Sequence, residues 1–134
     1  MIPIKISIVE DLKDVREEIV NLLSLDKRFE MISAFSNAEL ATKDLPSQKP
    51  DIVIMDINLP GISGIEALKI LRGDPATAHI PVIALSANAM PRDIERGLQA
   101  GFFRYLTKPI KVTEFMKTLE ETLEFAAQEA VLSK

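Results

Sequence analysis

The sequence predicts a doubly wound α/β domain, a five-stranded parallel sheet with helices on both faces. Short apolar runs of strand length alternate five times with stretches whose apolar residues recur at helical spacing, and that alternation implies a parallel sheet with right-handed crossovers. The run Ile52-Val53-Ile54-Met55 is apolar without interruption, which is the pattern of a central strand buried on both faces. It ends on Asp56, with Asn58, Pro60 and Gly61 close behind, so a carboxylate is expected where the strand gives way to a loop. In open α/β sheets, ligands bind along that edge.

Each element has its own signal. Ile4 to Val9 is rich in β-branched residues and reads as strand one, ending at Glu10-Asp11. Leu12, Val15, Ile19, Leu22 and Leu23 form the stripe of a first helix, with Asp11 as its expected cap. Met31 to Phe35 is expected as strand two. Ser36 or Asn37 is placed to cap a second helix that turns Ala38, Ala41 and Leu45 inward until Pro46 stops it. After the central strand, Gly64 opens a third helix carrying Ile65, Leu68 and Leu71, closed by Gly73-Asp74-Pro75. Pro81 to Leu85 is strand four, ending at Ser86. Pro91 suits the first turn of a fourth helix with Ile94 and Leu98 inward and Gly101 as its stop. Phe102 to Leu106 is strand five, ending in Thr107-Lys108-Pro109. The last helix runs from about Lys111 to Ala130 on a stripe of Val112, Phe115, Met116, Leu119 and Leu123.

Composition bounds the function. At 134 residues, one core is expected, spanning 1–134 with its packed part at about 3–126. No apolar run is long enough to span a membrane, and the amino-terminal residues lack the layout of a signal peptide, so the cytoplasm is the expected compartment. The absence of cysteine removes disulfides, thiolate metal sites and cysteine nucleophiles. With a net charge of −4 and dispersed Lys and Arg, nucleic acid is not expected as a direct partner. His79 lacks a second ligand of its kind and reads as a loop residue.

The predicted strand ends converge on one crevice. In the common flavodoxin-like order 2-1-3-4-5, strands one and three are neighbours, which brings Glu10, Asp11 and Asp56 together. Three such carboxylates repel one another unless a cation neutralises them, and an all-oxygen site suits Mg²⁺. Singly, each acid has a plainer role: Asp11 as a cap, Glu10 on the solvated surface, Asp56 as the start of a turn. Lys108 before Pro109 is by itself an ordinary surface lysine, but beside the acids its ammonium can reach an anion. Ser86 either caps the helix after it or donates to that anion, together with backbone N–H groups of the loop such as that of Ala87. Acidic metal site, central carboxylate, lysine and hydroxyl together describe phosphoryl transfer to a carboxylate.

These residues resemble the receiver domain of two-component response regulators over essentially the whole chain. The likeness runs through Ile8-Val9-Glu10-Asp11, Met55-Asp56-Ile57-Asn58-Leu59-Pro60-Gly61-Ile62-Ser63-Gly64, Ala84-Leu85-Ser86-Ala87-Asn88-Ala89-Met90 and Gly101 to Pro109. The resemblance implies that Asp56 takes a phosphoryl group from a phosphohistidine on a histidine kinase or histidine phosphotransfer protein. It implies Mg²⁺ on Glu10, Asp11, Asp56 and the Asn58 backbone carbonyl, Lys108 against the phosphoryl oxygens, a switch pair of Ser86 and Tyr105, and a cis Lys108-Pro109 bond. Glu10 replaces a more common Asp, and Ser86 a more common Thr.

On phosphorylation, Tyr105 is expected to rotate from exposed to buried and to alter the surface of helix four, strand five and helix five, which is also the expected homodimer face. Phe102-Phe103-Arg104 is bulkier than usual there, and both phenylalanines are expected to serve a partner. No independently turning-over enzyme is expected beyond the domain's own aspartyl phosphorylation and dephosphorylation. The chain is expected to be a stand-alone receiver or one cut from a longer polypeptide, with a likeness to receivers of hybrid histidine kinases in a phosphorelay. The alternative is a pseudo-receiver, a constitutive interaction module. A flavodoxin-like cofactor module is disfavoured, because Glu10-Asp11 would repel a phosphate where that module needs a cradle. A haloacid-dehalogenase-like phosphatase is disfavoured by Asn58, which stands where a second Asp is needed.

Overall fold

The computed structural model describes residues 2–132, with the side chains of 129–132 left aside; the expected domain limits at Met1 and Lys134 lie outside the described residues. Ten elements alternate: β1 (Ile4–Val9), α1 (Lys13–Leu23), β2 (Phe29–Phe35), α2 (Ala38–Gln48), β3 (Ile52–Asp56), α3 (Gly64–Arg72), β4 (Val82–Ser86), α4 (Pro91–Ala100), β5 (Arg104–Thr107) and α5 (Val112–Leu132). The strands form one sheet in the order β2-β1-β3-β4-β5, every pair parallel, as the alternation predicts. Among the described residues, no helix is long and apolar enough to cross a membrane.

Strand periodicity divides the core in two. Val53 and Met55 of β3 pack with Ala41, Leu45, Leu68 and Leu71 of α2 and α3. Ile52 and Ile54 face the other way, onto Ile19, Leu22, Phe115 and Leu119 of α1 and α5. An uninterrupted apolar run is what a strand covered on both sides requires. All of β3 and β4 is buried, so their carboxyl ends are held rigidly.

Several local expectations are corrected. Asp11 does not cap α1: the N-cap is Leu12, with no side-chain hydrogen bond, because Asp11 turns toward the other acids. Leu12 is 53% exposed and not on the buried stripe. β2 starts at Phe29, and Met31 lies exposed on this edge strand. Asn37 caps α2 by accepting from the Leu40 N–H, but Pro46 does not end the helix, which continues to Gln48 and stops at Lys49 in the left-handed region. Pro46 sits in the last turn, where losing one backbone donor is tolerated. In α4, Gly97 is the buried residue, whereas Ile94 is half-buried and Leu98 is 43% exposed; the helix presents its glycine to β5. Val112 is 50% exposed, in the first turn of α5, while Phe115 and Leu119 are fully buried. Phe102 is buried in the α2–α3 core, so it is not available to a partner. Phe103 is half-buried, its ring 4.5 Å from that of Phe125 and its face under the Arg104 guanidinium. His79 lies in an exposed loop.

Candidate functional site

The carboxyl ends of β1, β3, β4 and β5 bring Glu10, Asp56, Ser86 and Lys108 to one place. Parallel pairing in register is the cause: Val9 lies beside Met55, Met55 beside Ala84 and Ala84 beside Tyr105, so the residues just beyond them emerge at one level. Oxygens of Glu10, Asp11 and Asp56 lie within 4.8 Å of one another. Glu10 is completely buried and Asp56 nearly so, which corrects the reading of Glu10 as a solvated surface residue.

Lys108 bridges the acids. Its Nζ donates to Glu10 Oε1 at 2.8 Å and to Asp56 Oδ2 at 2.9 Å. The other oxygen of Asp56, Oδ1, accepts the Asn58 N–H at 2.8 Å. Glu10 Oε2 is buried with no hydrogen-bond partner. A buried unpartnered carboxylate oxygen is costly. Burial, reinforced by the neighbouring Asp56 and only partly opposed by Lys108, pushes the Glu10 carboxyl up to about 8. Burial also opposes ionisation of Asp56, but the neighbouring Glu10, the Lys108 ammonium and the Asn58 N–H together outweigh it, and Asp56 is held below its ordinary value. Burial would lower Lys108, yet its bonds to Glu10 and Asp56 raise it, so the ammonium stays charged.

The donor set fits a small hard dication. Three acids with oxygens this close and one buried oxygen left without a partner are what an oxygen-liking cation needs, and the backbone carbonyl of Asn58 follows Asp56 by two residues. Ser86 is buried and its Oγ accepts from Asn58 Nδ2 at 3.2 Å and from the Asn88 N–H at 3.1 Å. Its own hydroxyl proton therefore remains free for an anion. Ala87, next in the loop, is exposed. Tyr105 reaches the same loop, donating to the Asn88 carbonyl at 2.8 Å. Its ring is half-buried against the core, so the exposed resting position expected for it is not the one observed. The Lys108-Pro109 peptide is cis, as the resemblance implies.

One site-building residue escapes a reading of motifs. Arg16 Nη1 donates to the backbone carbonyls of Glu10 at 2.8 Å and Asp11 at 3.0 Å, fastening the acidic loop to α1. Its signal is an arginine one turn into the helix after the acids, which is indistinguishable in sequence from a solvated helix residue. Gly64, expected from the sequence as the start of the third helix, has a second role that only the structure shows: a Cβ there would lie 2.5 Å from the Asp56 carbonyl oxygen, so only glycine lets α3 begin this close to β3.

A profile of the response regulator receiver domain matches residues 6–120. The polar-differentiation response regulator DivK of Brucella anthropi is 47% identical over 75 residues, 56% of this chain and 61% of that protein; the chain thus spans under two thirds of the curated relatives it matches. The receiver domain of sensor histidine kinase PA1611 from Pseudomonas aeruginosa PAO1, solved with magnesium coordinated in its active-site cleft, is 31% identical with a TM-score of 0.81, covering 91% of this chain and 98% of that one. A response regulator from Desulfuromonas acetoxidans is 28% identical with a TM-score of 0.81, covering 90% and 97%. With the parallel sheet in 2-1-3-4-5 order and the profile spanning most of the chain, this protein belongs to the response regulator receiver domain family.

Proposed function

We propose that Asp56 is the phosphoacceptor of this receiver, taking a phosphoryl group from a phosphohistidine on a histidine kinase or histidine phosphotransfer protein. The observation that carries this is Asp56 itself, ionised at the end of a rigid central strand with the Lys108 ammonium 2.9 Å away. An oxygen of Asp56 attacks phosphorus in line, the P–N bond breaks, and its electron pair leaves with the partner's imidazole nitrogen. Lys108 swings from Glu10 and Asp56 to the phosphoryl oxygens, and Ser86 Oγ–H and the Ala87 N–H donate to them. Glu10, Asp11, Asp56 and the Asn58 carbonyl would hold Mg²⁺, which supplies positive charge against the developing charge on the phosphoryl group. The domain thereby promotes its own phosphorylation and dephosphorylation and is not an independent turnover enzyme.

When Ser86 turns to the phosphoryl group, it gives up the bonds it accepts from Asn58 and Asn88. The β4–α4 loop and the Tyr105 hydroxyl it holds then reorganise, changing the surface of α4, β5 and α5. That surface is the proposed face for output and for a homodimer, and the cytoplasm is the proposed compartment.

The test is intact mass after incubation with phosphoramidate and Mg²⁺, beside Asp56→Asn and a chelator control. Gain of one phosphoryl group that needs both Asp56 and the metal supports the reading. Absence of gain in the folded wild type would make the chain a pseudo-receiver working through protein contacts alone.

A further inference from the structure

The loop that carries Asn58 is held at both ends and at its tip, and the tip is held by a residue no motif points to. At its base, the Ile57 N–H donates to the Leu85 carbonyl at 3.0 Å and the Gly64 N–H to the Ile57 carbonyl at 2.9 Å, pinching residues 58–63 into a bight. At the tip, Gly61 takes a φ of +77°, a conformation that glycine adopts without strain. There the carboxylate of Glu39, in the first turn of α2, accepts the Ile62 N–H at 2.7 Å. Among the described residues this is the one backbone hydrogen bond from Leu59–Ile62 to another element. A Cβ at Gly61 would stand 2.5 Å from Glu39 Oε1, so the carboxylate lies directly over the turn.

We propose that Glu39 is a positioning residue for the phosphoryl-accepting site, bracing the β3–α3 loop so that the Asn58 carbonyl faces the acids. The proposal rests on the reading of Asp56, Glu10, Asp11 and Asn58 as the metal-holding set. Glu39 touches none of them. It acts through the Ile62 N–H and the bight, and it makes α2 a support of a site to which that helix contributes no other residue. Without the brace the tip is free to move, and the cost of ordering it then falls on metal binding. The role needs an acceptor oxygen at this position and not a negative charge. Glutamine should therefore serve, since its amide oxygen accepts the same bond.

The test uses the full chain as wild type, Glu39→Ala and Glu39→Gln, with helix content checked by circular dichroism. Amide exchange at Ile62 is followed by NMR without metal or phosphoryl donor, and Mg²⁺ affinity is measured by calorimetry. Glu39→Ala is expected to speed exchange at Ile62 and to weaken Mg²⁺ binding by about tenfold, the lower end for residues that orient metal ligands. Glu39→Gln is expected to stay close to wild type in both. The proposal is overturned if Glu39→Ala binds Mg²⁺ as tightly as wild type, if Glu39→Gln loses as much as Glu39→Ala, or if the wild type binds no Mg²⁺. A wild type that binds Mg²⁺ but gains no phosphoryl group sinks the phosphoacceptor reading and leaves the role of Glu39 to be decided by the exchange and affinity data.

Discussion

Gly97 lies under the ring of Tyr105, so close that a Cβ would come within 2.9 Å of Tyr105 Cδ2. The absence of a side chain in α4 is thus what lets the ring pack inward and its hydroxyl reach Asn88. Gly97→Ala is expected to displace the ring and lose the Tyr105–Asn88 bond, although alanine favours the helix itself by about 1 kcal/mol. Tyr105 ring shifts in NMR spectra are the measurement, and unchanged shifts would show that the ring does not depend on the glycine.

Lys108 donates to two buried acids, the ionised Asp56 and Glu10, which burial keeps mostly protonated near neutral pH. Lys108→Ala is expected to destabilise the metal-free protein by about 2 kcal/mol, since it leaves the buried Asp56 carboxylate without its counter-ion and removes a hydrogen bond from Glu10. Urea denaturation gives the number, and addition of Mg²⁺ should recover much of the loss. Equal stability of variant and wild type without metal would mean that the acids share a proton and do not need the ammonium.

The pH dependence has a definite sign. Glu10 is raised from an ordinary 4.5 to about 8 by burial and by Asp56, so the folded protein binds its proton more tightly than the unfolded chain does. The resulting stabilisation is complete below about pH 4.5, fades as pH rises, and is gone above about pH 8. Metal-free wild type should therefore lose stability relative to Glu10→Gln between pH 5.5 and 8.5, because glutamine cannot ionise. Parallel denaturation midpoints across that range would refute the assignment.

Gly64 has no room for a larger residue. The nearest neighbour of an added Cβ is backbone, the Asp56 carbonyl oxygen at 2.5 Å, and backbone at the end of a buried strand cannot swing aside. Gly64→Ala is expected to cost about 1–3 kcal/mol and to shift Asp56 relative to Lys108, lowering phosphorylation more than the stability loss accounts for. Denaturation and the mass assay on the same samples separate the two effects.

The parallel sheet, the central position of β3 and, given the common flavodoxin-like order, the meeting of Glu10, Asp11, Asp56, Ser86 and Lys108 at one edge were legible in the chain. Strand residues buried on both sides have to be apolar in an unbroken run, and polar residues at the ends of parallel strands have to emerge at one edge. The helix faces were less legible. Leu98, Val112 and Leu12 have helical spacing yet lie exposed, because periodicity gives a stripe without saying how far the sheet extends beneath it. Pro46 looked like a stop, but a proline in a last turn removes too little hydrogen bonding to end the helix. Phe102 and Phe103 are adjacent and chemically alike, and only packing sends the first into the core and leaves the second beside Phe125.

The sequence by itself determined the architecture and the residues that could carry chemistry, since both follow from local periodicity and from which side chains sit at strand ends. Tertiary structure alone decided that Glu10 is buried with one oxygen unpartnered, that Lys108 bonds to two acids at once, that Tyr105 packs inward over Gly97, and that Glu39 reaches across to the loop after Asp56. Those are facts of distance between residues far apart in the chain. No residue's identity encodes them until the sheet closes the gap.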